Sequence, residues 1–208
     1  MNNAENKDVK NNAENIAKSI AVNNASRNTT KKMVILAMFS ALAYVTMLVG
    51  RIHIGFAPFL KYDPKDIFIV LAGFIYGPVS ALLVTIVVAF IEMFTVSDTG
   101  WIGFFMNVIS SAAFACIASL IYKKRRCILN AVLGVVAGTV AMVVLMLIWN
   151  YIMTPIYMHV SRDAVVAMLI PVFLPFNLIK GSINAAFTIV FFKPLEIVFK
   201  KLGLMSGK

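Results

Sequence analysis

The sequence predicts an all-α protein: a six-helix transmembrane bundle with both termini cytoplasmic and a short, capped second helix. Three observations predict it. Hydrophobic residues make up 61% of the 208 positions and charged ones 13%, with a mean hydropathy of +0.88; a soluble domain carries roughly 25% charged residues. The apolar residues fall into six runs, each bounded by polar, glycine or proline positions. The basic residues behind the net charge of +10 are gathered between those runs. A nucleic-acid binder would interleave them with aromatic platforms on a folded surface, so the charge is read as membrane topology and no nucleic-acid partner is expected.

A spanning helix needs about 20 mostly apolar residues. The first run, 33–50, is too long for a signal-peptide core and lacks a small-residue exit, so it reads as an uncleaved membrane helix. The second opens at DPKD, with Asp63 as N-cap, Pro64 in the first turn and Asp66 three residues on. It stops at Gly77, roughly 14 residues or about 21 Å in all. Pro78 starts the third helix, to about Val96; the fourth covers Trp101–Tyr122 and the fifth about Leu129–Met153. The sixth is expected from Pro175 to near Phe192, before Pro194, which leaves 154–174 as a long external connection. Residues 1–32, rich in Asn, Ala and Lys, cannot bury a core and read as a flexible cytoplasmic tail or a surface-lying helix. The membrane domain is then 33–193, followed by a basic cytoplasmic tail, 194–208.

Fourteen basic residues lie on one side, in the N-terminal tail, the KKRR loop (123–126) and the C-terminal end. Arg51, Lys61, Lys65 and Arg162 lie on the other, and Lys180 alone remains in the membrane. The positive-inside rule places both termini in the cytoplasm of a cell-membrane protein, as an even helix count requires.

That topology puts several polar residues at one depth in the outer half. Glu92 is near the end of the third helix, Asn107 about two turns into the fourth, and Asn150 near the end of the fifth. Asn177, Lys180 and Asn184, spaced three and four apart, share one face of the sixth, with Gly181 beside them. Each has a plainer reading. Asparagines bond neighbouring helices, Glu92 and Lys180 pair as ions, Gly181 permits close packing, and Trp101 and Tyr62 anchor the interface. A lysine, several amides and nearby aromatics around one accessible volume suit a planar, polar-rimmed ligand.

Catalytic chemistry has little support. His53 and His159 have no metal-ligand spacing, there is no nucleotide-binding G-x-x-x-x-G-K-[ST] loop, and no paired carboxylates lie at catalytic spacing in the membrane. No catalytic, metal or cofactor site is expected. Cys116 and Cys127 form no disulfide framework.

FLKYDPKDIFIVLAGFIYGP (59–78) together with PFNLIKGSINAAF (175–187) resembles the riboflavin-binding S components of energy-coupling factor (ECF) vitamin transporters, over most of 33–193. The resemblance implies a substrate-binding subunit that takes riboflavin from outside and docks on a transmembrane T component with two cytoplasmic ATPases. It also implies that Lys180, Asn177 and Asn184 meet the uracil-like edge of the flavin, that Asn107 and Asn150 meet its ribityl hydroxyls, and that Leu60, Lys61 and Tyr62 cover the site. Trp101 and Glu92 complete the expected ligand set. Ala37 and Ala41 look like the family's A-x-x-x-A docking motif, in which small residues one turn apart admit a partner helix. An S component for another vitamin or a flavin nucleotide, a stand-alone facilitator, and an intramembrane enzyme using Glu92 and Lys180 remain as competing readings.

Overall fold

The structure, a computed structural model, describes residues 3–53, 60–97 and 99–201. The chain divides into two units, Met1–Met38 and Phe39–Lys208. Within the first, helix α1 (Asn3–Gly50) begins thirty residues ahead of the expected start at Met33. The described part of the expected flexible tail is therefore helical. Its threonines are accommodated by bonding back one turn, Thr29 to the Ala25 carbonyl and Thr30 to that of Ser26.

In the second unit α1 buries Phe39, Ala43 and Met47, a stripe at four-residue spacing. Two short strands follow, β1 (Ile52–His53) and β2 (Lys61–Tyr62), paired antiparallel with Ile52 opposite Tyr62. Residues 54–59 of the expected covering loop lie outside the described residues, as do Asp98 and the tail from 202. Helix α2 (Asp66–Tyr76) has only 11 residues and is buried on almost every side, against α3 (Pro78–Thr95), α4 (Gly100–Lys124) and α7 (Leu174–Lys201). A helix apolar all round must be enclosed by protein or lipid; here protein encloses it. Gly77 alone, at φ 93°, turns α2 into α3, with Pro78 at the first helical position.

The expected cap of α2 is not formed. No side chain caps the helix, and Asp63 and Asp66 are instead spent on buried polar partners described below. Two other boundaries move. Helix α5 (Ile128–Met158) continues past Met153 and through Pro155, ending at His159 in the left-handed conformation. After only three residues, 159–161, the short α6 (Arg162–Met168) begins, with Ser161 as its N-cap. A π-helical turn (Leu169–Phe173) carries α6 into α7, which passes through Pro194 to Lys201. The expected long connection is thus mostly helix. Pro155 stands in the last turn of α5, and Pro171 lies in the π turn, so neither interrupts the middle of an α-helical ladder.

Among the described residues, five stretches are long and apolar enough to cross a membrane: Val22–Gly50, Pro78–Thr95, Gly100–Lys124, Ile128–Met158 and Arg162–Phe199. With α2 they account for the six expected apolar segments. Glycines set the close crossings. A Cβ on Gly134 of α5 would stand 2.6 Å from the Ala118 carbonyl oxygen of α4, and one on Gly138 would strike that of Phe114. A Cβ on Gly181 would likewise stand 2.6 Å from Thr139 Cγ2 of α5, which fits the plainer, packing reading of that glycine. One end of α2 is fixed by the rings of Phe74, Tyr122 and Phe192, with centroids 4.6–5.4 Å apart. Its other end carries the charges that build the site.

Candidate ligand-binding site

A cavity of about 350 Å³ opens where β2, α3, α4, α5 and α7 meet. Of the residues singled out in the sequence, Leu60, Lys61, Glu92, Asn107, Asn150, Asn177 and Lys180 line it. Three do not. Trp101 is 63% exposed on the outside of α4, as an interface anchor would be. Tyr62 and Asn184 are buried behind the wall, where the Tyr62 hydroxyl donates to Asn184 Oδ1 at 2.8 Å.

The amides separate into two kinds. Asn150 donates to the Met146 carbonyl of its own helix at 2.7 Å, and Asn177 to that of Phe173 at 2.8 Å. Neither bond ties one helix to another, and each leaves amide capacity beside the cavity. Asn184 is different: its amide donates to Asp66 Oδ2 at 3.1 Å, so it joins α7 to α2. The plainer, helix-bonding reading is the one that fits Asn184.

Asp66 is wholly buried at the start of α2. It accepts from Ser111 Oγ at 2.5 Å as well as from Asn184, and its Oδ2 stands 3.9 Å from Lys180 Nζ. Lys180 therefore has a carboxylate partner, and that partner is not Glu92. Glu92 pairs with Lys65 at 2.5 Å and also accepts from Asn107 Nδ2 at 3.0 Å. Lys65, counted from the sequence among the charges on the external side, is 1% exposed. Lys180 is thus not the single buried cation. A buried charge without a partner costs several kcal/mol or neutralises, and each of these cations has one.

At the mouth, Arg51 Nε lies 2.9 Å from Asp63 Oδ1, with Lys65 Nζ 3.8 Å from Oδ2. Burial pushes the Asp63 carboxyl up, but Lys65, Lys180 and Arg51 outweigh it and hold the group below its ordinary value. Burial, with Asp66 and Asp63 adding to it, raises the Tyr62 phenol far above its ordinary range, so it remains a donor.

Sequence reasoning missed Arg51, Asp63 and Ser110 as lining residues, together with the apolar Met106, Met146 and Phe176. The first two looked like loop charge and helix capping. Ser110 sits in a Ser-Ser-Ala stretch that carries no signal of its own, though its spacing of three from Asn107 puts both on one face of α4. No cluster of three or more metal-ligating side chains occurs among the described residues.

Apolar helices gathered round a polar-rimmed, half-enclosed cavity define a membrane-embedded ligand-binding protein. The sequence profile described as "ECF transporter, substrate-specific component" matches residues 31–192, and the chain belongs to that family. Relatives agree. It is 29% identical over 180 residues to the riboflavin transporter RibU of Staphylococcus aureus, covering 83% of this chain and 94% of that one. It is 30% identical over 173 residues to the riboflavin transporter FmnP of Bacillus subtilis, covering 78% of this chain and 91% of the relative. A solved structure of the S component of a bacterial ECF transporter superposes with a TM-score of 0.71 at 28% identity, over 83% of this chain and 99% of that one.

Proposed function

We propose that this chain is the substrate-binding subunit of an ATP-driven ECF importer, taking riboflavin from the extracellular side and passing it through a T component with two ATPases. One observation carries the reading: Lys180, Asn177, Asn150 and Asn107, from three helices, line a single cavity. Its volume of about 350 Å³ falls within the roughly 300–1,000 Å³ of small-molecule sites. Asn177 keeps its Oδ1 unspent by its bond to Phe173, so with Lys180 Nζ it offers an acceptor and a charged donor one helical turn apart. The N–H and carbonyl edge of a flavin ring presents the complementary pair.

The relatives' riboflavin transport supports the choice of ligand, and the asymmetry of basic residues supports the orientation. Ala37 and Ala41 are exposed on α1, as a surface for the T component requires. The test is spectroscopic. Purified protein should carry or take up a yellow flavin, and riboflavin fluorescence should be quenched on titration. Protein that leaves the fluorescence unchanged would sink the assignment.

A further inference from the structure

Lys123, Lys124, Arg125 and Arg126 stand at the end of α4 and in its connection to α5. They lie far from the cavity, about 25 Å along α4 from Asn107 at 1.5 Å per residue. All four are exposed, and none of their side chains has a hydrogen-bond or ion-pair partner among the described residues. Arg51, Lys65 and Lys180, by contrast, each have a carboxylate. Glu196 of α7 shares the surroundings of Tyr122 with Arg126, without an ion pair between them.

Membrane topology accounts for the sign of this cluster but not for its form. Only Arg125, Arg126 and Cys127 join the two helices, and the close approaches at Gly134 and Gly138 fix those helices to each other. The cations therefore sit on a short turn between fixed supports. Both helices are long and apolar enough to cross a membrane, so the turn stands at a bilayer boundary. Apolar side chains are exposed directly beside it. Leu120 lies one turn before Lys124 on the same side of α4. On α5, Leu129, Leu133 and Val136, spaced four and three apart, are each more than half exposed and form a track that ends at the turn.

An apolar track that ends in unpaired guanidinium and ammonium groups complements a molecule with an acyl chain and an anionic phosphate head. We infer that the α4–α5 turn binds an anionic phospholipid. Arg125 and Arg126 take the phosphodiester through their planar donor forks, Lys123 and Lys124 add charge, and an acyl chain lies along Leu129, Leu133 and Val136. A free phosphate would leave the track uncovered, and a neutral lipid would leave the cations unanswered.

The experiment titrates the delipidated full chain, in neutral detergent, with phosphatidylglycerol and with phosphatidylcholine of the same acyl chains, and counts bound lipid by native mass spectrometry. Phosphatidylglycerol should bind about tenfold or more tightly, since each basic residue near a membrane surface is worth about fivefold in affinity for anionic lipid. Arg125→Gln combined with Arg126→Gln should remove about tenfold or more of that affinity and leave phosphatidylcholine unchanged. Lys31→Gln combined with Lys193→Gln takes the same charge from α1 and α7, and should cost less than about threefold, because charge beyond the turn is screened. Thermal melts of the arginine variant should match those of the unaltered chain, since both side chains are exposed; if they do not, Lys123→Gln combined with Lys124→Gln decides in its place. The site is overturned if the unaltered chain binds the two lipids alike, or if the two double variants lose affinity equally. It is also overturned if inorganic phosphate displaces the lipid where chloride of the same ionic strength does not.

Discussion

The Tyr62 hydroxyl donates to Asn184 Oδ1 at 2.8 Å, a bond between residues 122 positions apart in the chain. It ties β2, whose Lys61 lines the cavity, to the helix that carries Lys180. Tyr62→Phe should destabilise the protein by about 1 kcal/mol, the worth of a buried hydrogen bond, and should loosen the mouth. We expect faster flavin release with the association rate little changed, measured by stopped-flow fluorescence. Equal release from the variant and the unaltered protein would remove Tyr62 from the closure of the site.

Lys180→Ala should weaken flavin binding by tenfold or more, on the order of the 1.5–3 kcal/mol of a charge-assisted hydrogen bond. Asp66→Asn should produce a smaller loss without removing any cavity-lining group, because Asp66 holds Lys180 from behind. In a double variant the two losses should be less than additive. Full additivity in the titrations would show that Asp66 acts apart from Lys180.

Acid should expose the clasp at the mouth. Asp63 is held below its ordinary carboxylate value of 3.8. A group lowered on folding adds stability that is complete above that ordinary value and is lost as pH falls through the folded one. Asp63→Asn should therefore melt below the unaltered protein at neutral pH, and the gap should close as the pH drops beneath about 3.8. A gap that stays constant across that range, in detergent melts, would count against the ion cluster.

Gly134→Ala tests the α4–α5 crossing. The new methyl would sit 2.6 Å from the Ala118 carbonyl oxygen, which is backbone and cannot rotate away. Overpacking of this kind costs about 1–3 kcal/mol. Thermal melts should show the loss, whereas a neutral outcome would mean that the helices separate freely.

Ala37→Leu and Ala41→Leu should spare flavin binding, since neither residue lines the cavity. Both should reduce co-purification with the T component by filling a small-residue surface. A complex that survives both changes, recovered by pull-down, would remove the docking role.

The parts of the site legible in the sequence were those that violate their surroundings. Lys180, Asn107, Asn150 and Asn177 are polar positions in apolar runs, and helical spacing was enough to bring them to one depth. Lys65 and Asp66 were not legible, because charged residues before an apolar helix have a sufficient local explanation in capping and topology. Only the packing shows that the first turn of α2 is enclosed. One signal was available, for α2 is apolar on every face and so short that its ends are buried with it. Helix boundaries at Pro155, Pro171 and Pro194 were misplaced for a related reason: proline disfavours a helix locally, while neighbouring helices decide whether the helix continues.

The enclosure of α2 also sets an order of events during synthesis. Glu92, Ser111 and Asn184, the partners of Lys65 and Asp66, lie 27, 45 and 118 residues further along the chain. A nascent chain that has emerged only as far as α2 holds Asp66 without its partners, and Lys65 with Asp63 alone at 3.8 Å, on a segment of 11 residues. Lys65 gains Glu92 with α3 and Asp66 gains Ser111 with α4, and the set around Asp66 is complete only when α7 brings Asn184 and Lys180. The same residues that build the site thus tie the enclosure of the second helix to three helices that follow it in the chain.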